Sequence, residues 1–89
     1  MRLKGEFILR EVMGEMLAIP VGGSVLEFNG MICINPVGEV IWRGLQEGQT
    51  KEAILEAILD KFDVSREEAT ADLDDFLLRL KQSGFLEDE

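Results

Sequence analysis

The side chains that could do chemistry in this sequence are one cysteine and an excess of carboxylates, and the sequence contains no histidine. Without histidine the chain cannot build a Ser-His-Asp or Cys-His triad, and one cysteine is too few for an internal disulfide or a Cys/His zinc site. Cys33 lies in an apolar strand-like run, where a thiol keeps a normal or raised pKa and is unreactive. Because cysteine is usually buried, we expect Cys33 to be a core residue.

The carboxylates do not show a spacing typical of catalysis or of metal binding. The acidic residues at 72–75 fall on the surface of a predicted helix, where a solvated face is the common arrangement. Asp60, Asp63 and Glu67 lack the spacing and the central glycine of an EF-hand. We therefore predict no catalytic residue, no metal site and no cofactor, and a protein that is not an enzyme.

The overall charge restricts the partners that this chain can bind. Nine Lys and Arg residues against eighteen Asp and Glu residues give a formal net charge of −9. Phosphate backbones bind proteins mainly through Lys and Arg, so neither nucleic acid nor an anionic membrane is an expected partner. No apolar run reaches the roughly 18 residues of a membrane-spanning helix. We expect a cytoplasmic protein with a reduced thiol.

The first third of the chain predicts a small antiparallel sheet. Met13-Gly14 separates two short apolar runs, and a glycine at that point supplies the positive φ of a tight hairpin. Asn29-Gly30 is the dipeptide most favoured in a two-residue type I′ turn and predicts a second hairpin. The predicted strands, within about residues 7–34, are Phe7–Val12, Glu15–Pro20, Val25–Phe28 and Met31–Ile34.

The remaining chain predicts three helices, at about residues 36–47, 51–62 and 66–83. Asn35 and Thr50 are placed to cap the first two helices, and Ser65 with Glu68 matches a capping box for the third. Gly84 is placed just after the third helix, as expected for a C-terminal cap, and we expect the acidic tail beyond Leu86 to be frayed.

A small sheet before three helices predicts an α+β fold that is winged-helix-like, with residues 1–89 forming a single domain around one core. Folds of this kind usually act by docking another molecule. An open sheet edge beside an apolar helix face could accept an extended peptide as an added strand.

The ordered set of residues along the chain resembles the PqqD-like family. The resemblance extends from Phe7 to Leu86, and it depends on many matched core and capping positions and not on one diagnostic motif. The matching segments are Leu26 to Pro36, Gly38, Ile41-Trp42, Leu45, Gly48 to Thr50, Glu52 to Ile54, Phe62 to Val64, Glu68-Ala69, Asp72-Leu73, Phe76-Leu77, Leu80 and Gly84 to Leu86.

This resemblance implies a function and a binding site. Members of that family are RiPP recognition elements, peptide chaperones that bind the leader of a ribosomally made precursor peptide. They present it to a separate modifying enzyme such as a radical SAM protein, and they do not catalyse; pyrroloquinoline quinone biosynthesis is one such pathway. The leader adds to the sheet edge that precedes the first helix and packs against the third helix. Carried over to this chain, the implied peptide-binding residues are Met31, Ile32, Cys33, Ile34, Asp72, Leu73, Phe76 and Arg79.

Two other functions are compatible with the same predicted fold. The first is a winged-helix transcription regulator, but the early turns of the third helix carry carboxylates where contacts with DNA would need Arg, Lys, Asn or Gln. The second is a protein–protein adaptor or dimerisation domain, which the sequence alone leaves open.

Overall fold

A computed structural model of the chain describes residues 2–23 and 32–87. It contains a three-stranded antiparallel sheet followed by three helices, so the predicted α+β, winged-helix-like fold is confirmed. In chain order the elements are β1 (Arg2–Leu3), β2 (Phe7–Val12), β3 (Glu15–Pro20), β4 (Ile32–Ile34), α1 (Pro36–Gln46), α2 (Lys51–Lys61), α3 (Arg66–Gln82) and β5 (Leu86–Glu87).

The sheet is built from the predicted first hairpin, to which β4 adds as the third strand. Its strand order is β2-β3-β4, and Val12 pairs with Glu15 across the turn. Both turn residues have positive φ, 53° at Met13 and 83° at Gly14, as a type I′ hairpin requires. The predicted Asn29-Gly30 turn and the Val25–Phe28 strand lie outside the described residues.

Strand alternation gives the sheet an inner and an outer face. Ala18 and Ile34 are buried on the inner face, which packs towards the helices. Ile8 and Val12 are exposed on the outer face. Cys33 lies directly opposite Leu17 on β3, so its side chain is on the outer face, next to an inward-pointing Ile34.

Each helix begins at a capping side chain. The side-chain oxygens of Asn35, Thr50 and Ser65 accept from the backbone N–H three residues later, at 2.7, 3.1 and 3.1 Å. The reciprocal bond of the capping box, from the Ser65 amide to Glu68, is not among the hydrogen bonds of the described residues. The helices end at residues 46, 61 and 82, one residue before the predicted ends, and the residues that follow are their C-caps.

The core lies between the inner face of the sheet and the three helices. Its largest fully buried side chains are Trp42, Ile41, Leu45, Ile54, Ile58 and Leu73. The Phe7 ring meets Trp42 edge-on at a centroid distance of 5.3 Å and Phe85 at 5.4 Å, so aromatic contacts tie the first hairpin to α1 and to the segment after α3.

The expectation of a frayed tail is wrong for Glu87. Residues Leu86–Glu87 form β5, which pairs antiparallel with β1, and the Lys4 N–H donates to the Phe85 carbonyl at 2.8 Å. Leu86 is buried in the core, and this apolar contact fixes the pairing. In the described part of the chain, no helix combines the length and the apolar character needed to cross a bilayer.

Candidate functional site

A cleft of about 470 Å³ opens where the hairpin end of the sheet, the start of α1 and the second half of α3 meet. The hairpin contributes Glu11 and Glu15, and β4 contributes Cys33 and Ile34. The α3 residues are Phe76 and Arg79, which are three positions apart and therefore share one helix face. The cleft thus has an apolar floor and charged groups on its sides.

The cleft surrounds the free edge of β4. One edge of this strand pairs with β3, and within residues 2–23 and 32–87 no strand pairs with the other edge. The lining includes Cys33 from the outer face and Ile34 from the inner face, so the cleft extends around both sides of the strand. An edge of this kind presents unpaired backbone N–H and C=O groups to an incoming chain.

Close packing at the start of α1 holds the floor of the cleft in place. A Cβ atom built on Gly38 would lie 2.8 Å from Ile34 Cγ2 and 2.9 Å from Phe76 Cε2. Only a residue without a side chain lets β4 and α3 approach α1 this closely. Phe76 is therefore 8% exposed, with its remaining surface towards the cleft.

Cys33 is exposed, so the expectation that it is a core residue is wrong. Its Sγ donates to Glu15 Oε2 at 3.7 Å. Desolvation, followed by the charge of Glu15 and this hydrogen bond, raises the pKa of the Cys33 thiol. A raised pKa leaves little thiolate at neutral pH, which agrees with the predicted unreactive thiol.

Arg79 lies at the rim of the cleft with a weakly held side chain. Its Nε is 3.7 Å from Asp75 Oδ2, and both side chains are about two-thirds exposed, at 67% and 69%. Its guanidinium carbon lies 5.9 Å from the centroid of the Phe76 ring. An exposed pair at this distance contributes little to stability, so the guanidinium can bind another anion at small cost.

The structure brings together only part of the residue set implied by the family resemblance. Cys33, Ile34, Phe76 and Arg79 line the cleft, and Ile32 is half-buried at the start of the same strand. Asp72 is exposed one turn before Phe76 but does not line the cleft.

Two other members of that set do not contribute to the described surface. Leu73 has no exposed surface, so we remove it from the direct contacts and assign it to the core beneath. Met31 lies outside the described residues.

Sequence reasoning missed the carboxylates of the cleft, Glu11, Glu15 and Glu39. A signal for two of them was present: the Met13-Gly14 turn places Glu11 and Glu15 at the same end of the hairpin. What the sequence did not show is that β4 ends beside this turn, with Ile34 opposite Met16.

These features define a class of protein: a small α+β domain in which, over the residues that the structure describes, one edge of the sheet lies unpaired beside the last helix. Residues 19–86 match the family model described as coenzyme PQQ synthesis protein D (PqqD), and the chain belongs to the PqqD family. The family resemblance drawn from the sequence is thereby confirmed.

A solved structure is similar to the whole chain. This structure is TbiB1 in complex with the TbiA(beta) leader peptide, which is 27% identical with a TM-score of 0.79. The match covers 100% of this chain and 98% of the TbiB1 chain. A comparison with curated proteins found no match.

Proposed function

We propose that this protein is a RiPP recognition element, which captures the leader segment of a ribosomally made precursor peptide and presents it to a separate modifying enzyme. The observation that carries the proposal is an edge of β4 that has no partner strand among residues 2–23 and 32–87 and lies inside a cleft faced by α3. Membership in the PqqD family and the similarity to TbiB1, a protein solved with a leader peptide, support the same function. No observation favours a transcription regulator or an adaptor domain.

The proposed mechanism is β-strand addition. Backbone groups of Ile32–Ile34 hydrogen-bond to the leader and set its register, which requires no particular leader sequence. Specificity comes from side chains: Ile34 and Phe76 accept apolar leader residues, and Arg79 pairs with a leader carboxylate. Asp72 lies one turn before Phe76 on α3, outside the cleft, where it would meet only a leader that extends beyond the cleft.

The protein acts by binding in this proposal, and the chemistry belongs to its partner. A radical SAM protein or another peptide-modifying enzyme would receive the captured precursor. Because the precursor is made on ribosomes, we place the protein in the cytoplasm.

Nuclear magnetic resonance of the isotope-labelled protein tests the proposal. Titration with a precursor peptide should shift the amide signals of Ile32–Ile34. It should also slow the hydrogen exchange of those amides in this segment that do not already bond to β3, because they become hydrogen-bonded in an added strand. The amide of Ile58, buried in α2 away from the cleft, is the internal control. Binding without a change at residues 32–34 would contradict the strand-addition mechanism.

A further inference from the structure

The position of one carboxylate suggests which leader residues the cleft accepts. Glu15 belongs to β3, yet its Oε2 lies 3.7 Å from the Sγ of Cys33 on β4. The Glu15 carboxylate therefore lies at Cys33 on the outer face of the sheet, over the strand beside which a leader would add. Neighbouring strands are about 4.8 Å apart, so a long cationic side chain on the added strand can reach this carboxylate.

The carboxylate of Glu15 has few interactions within the protein and can accept further hydrogen bonds. Among the described residues it forms no ion pair, and its one hydrogen bond comes from a thiol, which is a weak donor. An added strand with Asp or Glu beside Cys33 would place like charges next to each other, whereas Lys or Arg would form an opposite-charge pair.

The alternation of side chains along a strand shows which leader position should carry the basic residue. The leader residue opposite Cys33 points to the outer face, as Cys33 does. The leader residues on either side of it point to the inner face, towards Ile34 and Phe76, where the floor of the cleft is apolar. The two faces of the cleft therefore require different side chains at successive leader positions.

From this geometry we propose that the protein selects leader peptides with an apolar–basic–apolar triplet, in which Lys or Arg lies opposite Cys33 and pairs with Glu15. The proposal rests on the proposed function, because it assumes strand addition at β4. It differs from the contact of Arg79, which lies on the α3 side of the cleft and pairs with a leader carboxylate.

Selection from a random library tests the proposal without knowledge of the natural leader. Displayed random peptides of about ten residues, the length of a long strand, are selected on the immobilised full chain. We expect the triplet to be enriched. In a selected peptide made with Lys, Gln or Glu at the central position, affinity should decrease in that order, with at least about a threefold loss from Lys to Glu.

Three variants separate the effect of the Glu15 carboxylate from the effect of the general negative charge. Glu15→Lys should reverse the preference, so that the Glu peptide binds more tightly than the Lys peptide. Glu47→Gln is the matched control for Glu15→Gln, because both changes remove one negative charge. Glu47 is the C-cap of α1, eight residues beyond Glu39 and thus about 12 Å along the helix from the cleft. Only Glu15→Gln should abolish the difference between the Lys and Glu peptides.

The outcomes distinguish this inference from the proposed function. Peptides that shift the amides of residues 32–34 but show no central basic residue, or keep their preference in Glu15→Lys, would overturn the inference alone. A library that yields no peptide bound at residues 32–34 would overturn strand addition, and the inference with it.

Discussion

At the scale of single residues, Gly38 is where the cleft and the core meet. A side chain there would be in close contact with Ile34 and Phe76, so α1, β4 and α3 are locked together at this point. Gly44, six residues further along α1, makes a similarly close approach, since its Cβ would lie 2.6 Å from Ile54 Cγ1. Gly38 thus allows close packing at the cleft, and Gly44 allows it between α1 and α2, away from the cleft.

Gly38→Ala should therefore weaken both folding and peptide binding. The higher helix propensity of alanine contributes about 1 kcal/mol, but overpacking against Ile34 and Phe76 costs about 1–3 kcal/mol, so we expect a net loss of up to about 2 kcal/mol. Urea unfolding measures the stability and calorimetry measures the affinity for the precursor.

Gly44→Ala is the matched control for this prediction, because it overpacks α1 against α2 without touching the cleft. It should lower stability but leave the affinity of the folded protein unchanged. A Gly38→Ala variant more stable than wild type by about 1 kcal/mol would show that Ile34 and Phe76 move without cost.

Arg79→Glu should separate binding from stability. The side chain is exposed and its pair with Asp75 is long, so the free energy of unfolding should change by less than about 0.5 kcal/mol. If Arg79 pairs with a leader carboxylate, precursor affinity should fall by about 1–3 kcal/mol, which is roughly five- to 150-fold. Calorimetry with the precursor measures this loss.

Lys61→Glu is the matched control for Arg79→Glu. It reverses one positive charge in the last turn of a helix, and Lys61 lies 5.9 Å from the centroid of the neighbouring Phe62 ring, as Arg79 does from Phe76. Equal losses of affinity in both variants would assign the effect to net charge and remove Arg79 from the site.

At the scale of elements, the orientation of α3 determines one wall of the cleft. Ser65 starts the helix, and its Oγ accepts from the Glu68 N–H at 3.1 Å. Acidic residues in the first turn and basic residues in the last complement the helix dipole. These local interactions stabilise both ends of α3, which carries Phe76 and, in its last turn, Arg79.

Ser65→Ala should lower the free energy of unfolding by about 0.5–2 kcal/mol, because the capped amide loses its partner. Ser83→Ala, at the C-cap of the same helix, is the control, since no hydrogen bond of its side chain is present in the described structure. Urea melts of both variants check this prediction. Similar small losses would mean that the Ser65 cap does not stabilise α3.

At the scale of the whole molecule, the net charge of −9 disfavours the binding of nucleic acid. The α3 helix, which a DNA-binding winged helix would place in a groove, has acidic residues in its first turn. Lys51, one of the exposed cations, is already paired with Asp74 on α3. The molecule therefore has no basic face on α3 with which to contact phosphates.

We expect no binding of duplex DNA above background at physiological salt. A gel-shift titration checks this prediction, with the same protein preparation tested for precursor binding as a control of activity. Retardation at micromolar protein that weakens with added salt would contradict it and favour the transcription regulator.

The sequence by itself was sufficient to predict the elements whose determinants are local. A capping side chain acts on an amide three residues away, as at Asn35, Thr50 and Ser65, and a tight turn needs only the residues within it, as at Met13-Gly14. Such interactions are read from neighbours in the chain, and they predicted the helix starts, the first hairpin and the fold class.

Only the tertiary structure decided which surfaces are exposed. Ile32–Ile34 is apolar at every position, so alternation could not show that Cys33 points outwards while Ile34 is buried. Likewise, the pairing of β5 with β1 depends on segments far apart in the chain. Burial and strand pairing are determined by such distant partners, and this is why the cleft and the carboxylates that line it could be identified only in the folded molecule.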